Sequence, residues 1–324
     1  MNNFSVLSAR DYEPKGSNYG DCTIIDTNSE LVVYDCGCEE HAQRVEQYMK
    51  DNGYDKVIVV LSHNDADHFN GIPYLVENNL VSKIYAQLYL KHKDKIKELM
   101  NDGRVTNKSL SERIKTDYDN ISSLSGKAEL IDAIELQEIV SGVSIVGPDK
   151  DYTLEAIAKE LKNSEGDTMD CETVINASSV QLSVDIKDKK LLLCGDCSFE
   201  SIKDKLFEYK IIQLPHHGKA ETAEKIFDEK TGENDVVYIV SDNTGNTNGG
   251  SSKLKSAGKQ VKNTLKGDIK YPESSSNTTF KVTRTLGEYE MGWFYRWHMY
   301  LIIGLKVNCK LVKNIYIFHL THIL

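Results

Sequence analysis

Val59-Val60-Leu61-Ser62-His63-Asn64-Asp65-Ala66-Asp67-His68-Phe69-Asn70-Gly71 is the stretch on which the reading of this chain turns. A strongly apolar strand, Lys56–Leu61, runs into four potential metal ligands within six residues, and a glycine then opens a helix. Neutral imidazole and carboxylate are the donors that bind zinc, iron or manganese well. As the chain leaves the strand extended, His63 and Asp65 point the same way, because i and i+2 share a face. Asp67 and His68 follow on the turn, where the chain changes direction and both can face a second ion. One ion would rarely need four such residues in so short a loop, so two ions are the natural reading.

Two later elements fit the same pocket. Leu191-Leu-Leu-Cys-Gly195-Asp196 is an apolar strand that delivers one carboxylate at its end, beside a glycine that permits close approach. Leu214-Pro215-His216-His217-Gly218 ends another short apolar strand with two imidazoles. A Gly-Asp or a His-His pair alone says little. The order H-x-D-x-D-H, then G-D, then H-H-G, each behind a hydrophobic strand, is hard to reach by coincidence.

The remainder of the chain frames these elements. Its 324 residues and 40% hydrophobic content allow one large α/β domain with a sizeable core. A formal charge of −10 works against a surface that grips nucleic acid over its whole extent. Metal ions and a local basic strip could still bring a phosphodiester to an acidic protein. The seven cysteines form an odd set, and the N-terminus MNNFSVLSARDYEPKG has no apolar leader, which together suit a reducing cytoplasm. Cys194-Gly-Asp-Cys197 and Cys36-Gly-Cys38 are read as buried strand-end thiols, because no second C-x-x-C completes a zinc knuckle.

Short apolar runs alternate with amphipathic stretches. Strands are expected at Thr23–Asp26, Leu31–Tyr34, Lys56–Leu61, Lys83–Leu88, Val143–Val146, Val180–Ile186, Leu191–Cys194, Lys210–Gln213, Val236–Val240 and Thr278–Thr283. Helices are expected at His41–Asn52, Ile72–Asn79, Leu90–Asn101, Leu110–Ser122, Leu154–Lys162, Phe199–Phe207, Thr222–Lys230 and Ser252–Leu265. Two mixed sheets with helices outside them satisfy that mixture, an α+β arrangement. The polar, charged segment Lys91–Glu135 reads as a helical insertion, and Asn243–Ser252 as a polar glycine-bearing loop. A hydrolase domain over 1–290 would then be followed by an atypical apolar, basic tail over 291–324. The tail's charge-free runs are shorter than the ~20 apolar residues a spanning helix needs, so no integral membrane span is expected.

This series of motifs resembles the metallo-β-lactamase superfamily, and within it the hydrolase domain of DNA-uptake competence proteins and their stand-alone relatives. Gly20-Asp21-Cys22-Thr-Ile-Ile looks like the family's early G-D strand, and Val32-Val-Tyr-Asp35-Cys36-Gly37 like its aliphatic-D-x-G element. Asn176-Ala-Ser-Ser-Val-Gln-Leu resembles the N-x-S-aliphatic stretch before the G-D strand. The resemblance implies an αββα sandwich with two divalent metal ions, zinc or manganese, at one edge between the sheets. It implies that His63 and Asp65 bind the first ion and Asp67 and His68 the second. Asp196 would bridge them, one of His216 and His217 would complete the second site, with His217 favoured, and the other imidazole would face the substrate. Two elements of the pattern are missing. No histidine lies between His92 and His216, and Asn248-Gly-Gly-Ser251 stands where relatives carry a late G-H-P.

The implied activity is metal-dependent hydrolysis by an activated water, with Asp67 orienting the water and His216 bonding to the anionic transition state. From Asn243 to Gly267 there is no acid, whereas Lys253, Lys255, Lys259, Lys262 and Lys266 are present. Such a strip is by itself compatible with a solvated helix face, but together with the competence-type resemblance it points to a phosphodiester substrate, either nucleic acid or a smaller phosphorylated compound. An acyl hydrolase acting on a lactone or amide uses the same chemistry. A non-catalytic, metal-stabilised binding or sensor module is the alternative of a different class.

Overall fold

The computed structural model describes residues 2–9, 20–117, 119–124, 126–162, 168–242 and 250–272. The expected strand Thr278–Thr283, most of the 243–252 loop and the 291–324 tail lie outside the described residues.

The first half of the chain builds one sheet from β1 (Asn3–Val6), β2 (Cys22–Asp26), β3 (Leu31–Cys36), β4 (Val57–Val60), β5 (Val81–Ala86) and β6 (Glu129–Asp132). A second sheet holds β7 (Gln137–Val140) and β8 (Val143–Gly147). After the small hairpin β9 (Thr168–Met169) and β10 (Glu172–Thr173), it continues with β11 (Gln181–Ile186), β12 (Lys189–Leu193), β13 (Ile211–Gln213), β14 (Val237–Val240) and β15 (Gln260–Asn263). The chain then returns to the first sheet with β16 (Ile269–Tyr271), giving seven strands in each. The orders are β16-β1-β2-β3-β4-β5-β6 and β15-β14-β13-β12-β11-β8-β7. Each sheet begins as antiparallel hairpins and ends in parallel strands: β3 to β6 in one, β12 to β15 in the other.

Parallel strands are buried on both faces, which is why β4 reads Val-Ile-Val-Val without alternation. Its residues nevertheless divide by parity. Ile58 and Val60 join Phe4, Val32, Tyr34, Leu182, Val184, Leu191 and Leu193 in the core between the sheets. Val57 and Val59 face outward, where Ala42, Val45, Met49, Ile72 and Leu75 of the helices Glu39–Asn52 and Ile72–Glu77 cover them. On the far side, Leu192, Ile212 and Tyr238 pack under Ala223, Ile226 and Phe227 of the helix Ala220–Glu229. Helix, sheet, sheet, helix is the αββα sandwich that the sequence led us to expect. Beneath one end of it the sheets are joined directly, since the backbone N–H of Val180 donates to the Ser62 carbonyl (2.8 Å) and the buried Tyr34 hydroxyl to the Val180 carbonyl (2.6 Å).

Several expected elements are corrected. Ser252–Leu265 is not a helix: a 3-10 turn at Ser251–Lys253 leads through Gly258, at φ +75°, into β15, which pairs in parallel with β14. The lysine spacing suggested a helical face, but the exposed edge of a buried parallel sheet supplied a stronger partner than helix propensity. Phe199–Phe207 is irregular and ends as a 3-10 turn at Lys203–Glu208. Within 91–135 the helices Lys93–Met100, Asn107–Asp117 and Asp119–Ser122 form as expected, but Glu129–Asp132 is a strand paired with β5. β1 and β7 are strands the sequence pattern does not announce. Cys22, Cys36, Cys38, Cys194 and Cys197 are buried free thiols, whereas Cys171 is exposed. No helix among the described residues is long and apolar enough to cross a membrane.

Candidate metal centre

β4 delivers Ser62 and His63 at its carboxyl end, and the short helix Ala66–Phe69 carries Asp67 and His68. The loop between them is seated by backbone. The N–H of Asp21 donates to the Asp67 carbonyl at 2.7 Å, and the N–H of Gly71 to the Cys36 carbonyl at 2.7 Å. Gly37 lies so close that a Cβ there would stand 1.9 Å from the Asp67 carbonyl oxygen. The early G-D and D-x-G motifs are thus the floor on which the ligand loop rests, and a side chain at Gly37 would lift it.

Each imidazole is fixed through Nδ1 and turns Nε2 inward. His68 is fully buried, with Nδ1 2.8 Å from Asp35 Oδ2. Asp35 also accepts the backbone N–H of Ser62 (2.7 Å), and it holds a left-handed backbone at φ +58°. His63 Nδ1 lies 2.9 Å from Ser62 Oγ and 3.2 Å from Ser179 Oγ, so the serine of the N-x-S stretch supports a candidate ligand. His217 donates from Nδ1 to the Ser241 carbonyl (3.0 Å), with Asp21 Oδ1 at 3.3 Å. His216 meets Glu172 Oε2 through Nδ1 at 2.8 Å. His216 and His217 both adopt left-handed φ, +51° and +56°, before Gly218 at +82°. Such a conformation costs on the order of 1 kcal/mol per L-residue and persists where surrounding contacts impose it.

The inward atoms meet around Asp196, which β12 presents behind Gly195. Asp196 Oδ1 is 3.5 Å from His68 Nε2, and its Oδ2 is 3.7 Å from His217 Nε2 and 3.8 Å from His216 Nε2. Asp67 Oδ2 lies 3.1 Å from His217 Nε2 and 4.0 Å from His68 Nε2. Asp65 Oδ2 stands 3.5 Å from His63 Nε2, on a side chain 46% exposed. His63 Nε2, His68 Nε2 and Asp196 Oδ1 are buried with no hydrogen-bond partner among the described residues. Buried polar atoms are almost always paired, so these three converge as a donor set that a cation would satisfy. Ligand atoms of His63, His68 and Asp196 lie within 4.8 Å of one another, as do those of Asp67, His68 and His217. Imidazole nitrogen and carboxylate oxygen at this spacing fit a divalent transition metal.

The electrostatics agree. Burial alone would lower the pKa of His68 and His217, but the Asp196 charge outweighs it and raises both well above the ordinary histidine value, helped by Asp35 and Asp21 respectively. For Asp196, burial would raise the carboxyl and the His217 and His68 charges bring it well below the usual range. Burial opposes ionisation of Asp67 too, and the hydrogen bond to His217 overcomes it. His216 is raised in the same way, against burial, by its Glu172 hydrogen bond and by Asp196. A field that stabilises protons on these nitrogens also stabilises a cation competing for the same lone pairs.

His63, Asp67, His68, Asp196 and His217 therefore converge as candidate donor groups where the two sheets meet, while Asp65, 3.5 Å from His63, and His216, 3.8 Å from Asp196, stand at the margin and join none of these groups. Sequence reasoning missed three supporting residues. Asp21 stands out in the sequence only as part of a strand motif, yet it receives the Ser241 hydroxyl (2.7 Å) beside His217 and forms a group with Asp196 and His217. Ser241 follows an apolar strand but carries no motif of its own. Glu172 sits in a hairpin of two-residue strands, too short to show any periodicity.

Residues 16–142 match the family model described as "Metallo-beta-lactamase superfamily". No curated protein matches the chain. Among solved structures, a metallo hydrolase from the hyperthermophilic archaeon Ignicoccus hospitalis is similar at 11% identity, with 84% of this chain and 100% of that one covered and a TM-score of 0.45. A diphosphatase from the PhnP family is similar at 11% identity, covering 84% of this chain and 98% of that one, with a TM-score of 0.43. The metallo-beta-lactamase fold protein YhfI from Bacillus subtilis is similar at 12% identity, covering 65% and 70%, with a TM-score of 0.38.

Proposed function

We propose that this chain, whose residues 16–142 match the metallo-β-lactamase superfamily model, is a metal-dependent hydrolase that holds two divalent ions and hydrolyses a phosphodiester. The observation that carries the reading is the convergence of His63 Nε2, His68 Nε2 and Asp196 Oδ1, buried and without hydrogen-bond partners among the described residues. In this reading His63, Asp65 and Asp196 would hold one ion, and Asp67, His68, His217 and Asp196 the other. Zinc suits the donor set, and manganese is compatible. Bound ions would supply water with a pKa near neutrality and positive charge where an oxyanion develops.

The chain's own residues do the rest. Asp67, ionised and fixed by His217, accepts a hydrogen bond from the attacking water and orients its lone pair. His216 lies on the open side, with a side chain 18% exposed against 1% for His217, and offers Nε2 to the anionic transition state. Replacing Asp67 with Asn should abolish turnover while leaving the fold intact, and a variant retaining most of its turnover would refute that role.

The phosphodiester is favoured by the acid-free run Asn243–Gly267. The structure divides its lysines. Lys255 lies 4.0 Å from Glu224 and Lys259 sits over the Phe227 ring, whereas Lys262, Lys266 and Lys270, together with Asp268, whose carboxylate pairs with Arg44, line a surface cavity of about 450 Å³. None of the candidate ligands lines that cavity, so it would hold an extended phosphorylated chain at a distance from the reacting bond. The test is a screen of metal-loaded protein against DNA, RNA, a bis-aryl phosphodiester and a lactone. Turnover of the lactone alone would redirect the reading to acyl transfer. Loss of DNA binding with rising salt is expected if the lysines grip phosphates.

One observation favours a second reading. With no histidine between His92 and His216, the first site has only His63, Asp65 and Asp196. A single tightly held ion per chain, with no turnover, would identify a metal-stabilised binding or sensor module. Close to two ions per chain supports the enzyme.

A further inference from the structure

We infer that Glu172 is a positioning residue for His216, which fixes the edge that this imidazole turns to the substrate; the inference rests on the hydrolase reading above. Glu172 is 2% exposed, and a buried carboxylate is costly unless it is paired and hydrogen-bonded. Its partners all come from one segment of the opposite element. His216 meets Oε2 through Nδ1 (2.8 Å), Lys219 donates to Oε1 (2.8 Å), and the Thr222 hydroxyl approaches Oε1 at 3.4 Å. Lys219 also donates to the Cys171 carbonyl at 2.9 Å. The hairpin β9–β10, turned by Asp170 and Cys171 at φ +54° and +68°, is thereby clamped onto the H-H-G element and its following helix.

A hairpin of two-residue strands does not persist by its own pairing. The clamp seats it together with the bonds from the Tyr152 hydroxyl to Asp170 (2.8 Å) and from Lys159 to the Thr168 carbonyl, and the clamp has one consequence inside the site. His216 occupies a left-handed backbone, so its ring direction depends on what the side chain meets. Glu172 takes Nδ1 and leaves Nε2 as the nitrogen that faces Asp196 and open space. His63, His68 and His217 are fixed by the ligand loop, by Asp35 and by Ser241. His216 is held by the β9–β10 hairpin, which is not part of either seven-stranded sheet. A hydrogen bond donated by one ring nitrogen to a fixed acceptor determines which way the other points, and its loss typically costs about 10–100-fold in function.

The experiment compares full-length, metal-loaded wild type with Glu172→Gln, Glu172→Leu, His216→Ala and the Glu172→Leu/His216→Ala double variant. It reads long-range proton–nitrogen NMR correlations of the imidazoles, metal content, and turnover of a bis-aryl phosphodiester. In the wild type His216 should show Nδ1 as a donor to a carboxylate. The glutamine keeps an acceptor for it, so the correlation survives, and turnover stays within about fivefold. The leucine should lose the correlation, with kcat down about 10–100-fold, KM within about twofold and metal content unchanged. Added to His216→Ala, it should cost nothing more. Loss of metal in Glu172→Leu, an unaltered His216 correlation, or losses that multiply in the double variant would each overturn the assignment. Should the leucine variant not fold, disappearance of the His216 correlation in the folded glutamine variant would also overturn it. Should the wild type turn over no substrate, the hydrolase reading fails, while the NMR comparison still decides the role of Glu172.

Discussion

Replacing Asp35 with Asn tests the site's construction more sharply than removing any ligand. Asp35 is fully buried and accepts two hydrogen bonds at once, from the Ser62 backbone N–H at 2.7 Å and from His68 Nδ1 at 2.8 Å. A carboxylate accepts at both oxygens, whereas an amide has one acceptor and one donor. Whichever way the substituted amide turned, a donor would face a donor. If the amide nitrogen faced the imidazole, His68 would be driven to carry its proton on Nε2, which removes the lone pair aimed at Asp196. If it faced Ser62, the strand end beneath His63 would lose its anchor. A buried donor left unsatisfied costs about 1–3 kcal/mol. The same rearrangement should weaken metal binding about 10–100-fold, or about 1.4–2.8 kcal/mol. Backbone strain does not confuse the result, because asparagine tolerates the left-handed φ of +58° at this position as well as aspartate does. The assay is competition for zinc against a chromophoric chelator, alongside urea unfolding of the metal-free protein. A variant that binds metal within about threefold of wild type and unfolds within about 0.5 kcal/mol of it would refute the reasoning, since both figures fall below the cost of a single unpaired donor.

Three further outcomes follow from the geometry. Gly37→Ala should destabilise the protein by about 3 kcal/mol or more, read by urea unfolding, because its Cβ would meet the Asp67 carbonyl at 1.9 Å and backbone cannot rotate away as a side chain can. Metal binding should release protons and weaken as pH falls, because the pKa values of His68 and His217 lie well above the ordinary value and a cation must displace those protons; titration calorimetry in buffers of different ionisation enthalpy should show it, and a buffer-independent enthalpy would contradict it. His41 is held neutral by burial, its pKa down at about 3, so the unfolded chain takes up a proton below about pH 6.5 that the folded chain refuses. That contribution to stability is intact above about pH 6.5 and drains away as pH falls toward 3, by about 2 kcal/mol between pH 6.5 and 5; the metal-free protein should lose that much more than His41→Leu over this interval, in urea unfolding at each pH.

The sandwich was legible because its parallel strands are nearly pure aliphatic runs with polar punctuation, as at Lys56–Leu61 and Leu191–Cys194. The convergence of the candidate donor side chains was legible because each stands at or just beyond the carboxyl end of such a run. Legibility failed where structure came from a neighbour instead of from local pattern. β15, Gln260-Val-Lys-Asn263, has one apolar residue and a glycine two positions before it, and it is a strand only because β14 offers an open parallel edge. Glu129–Asp132 was absorbed into a helical insertion for the same reason, its charged ends hiding a place beside β5. Glu172 was invisible: nothing in Asp170-Cys-Glu-Thr173 distinguishes a buried carboxylate from a solvated one until the fold brings Lys219 and His216 against it.

The motifs of this chain therefore encode two different things. Gly20, Gly37 and Gly71 hold no ligand atom, yet a methyl group at each would meet backbone oxygen or carbon at 2.8 Å or less. They fix the path of the loop, and the loop then fixes where His63, Asp67 and His68 point. The candidate ligands are held in turn by side chains, Asp35, Ser179 and Asp21, that lie on or just before strands of the two sheets. Changing a ligand should alter affinity and leave the path; changing a seat glycine should alter the path and carry every ligand with it. Asp65, with a side chain 46% exposed against 15% for Asp67, is the most exposed member of the set. It is accordingly the position where substitution should shift the first site's metal preference at least cost to the fold.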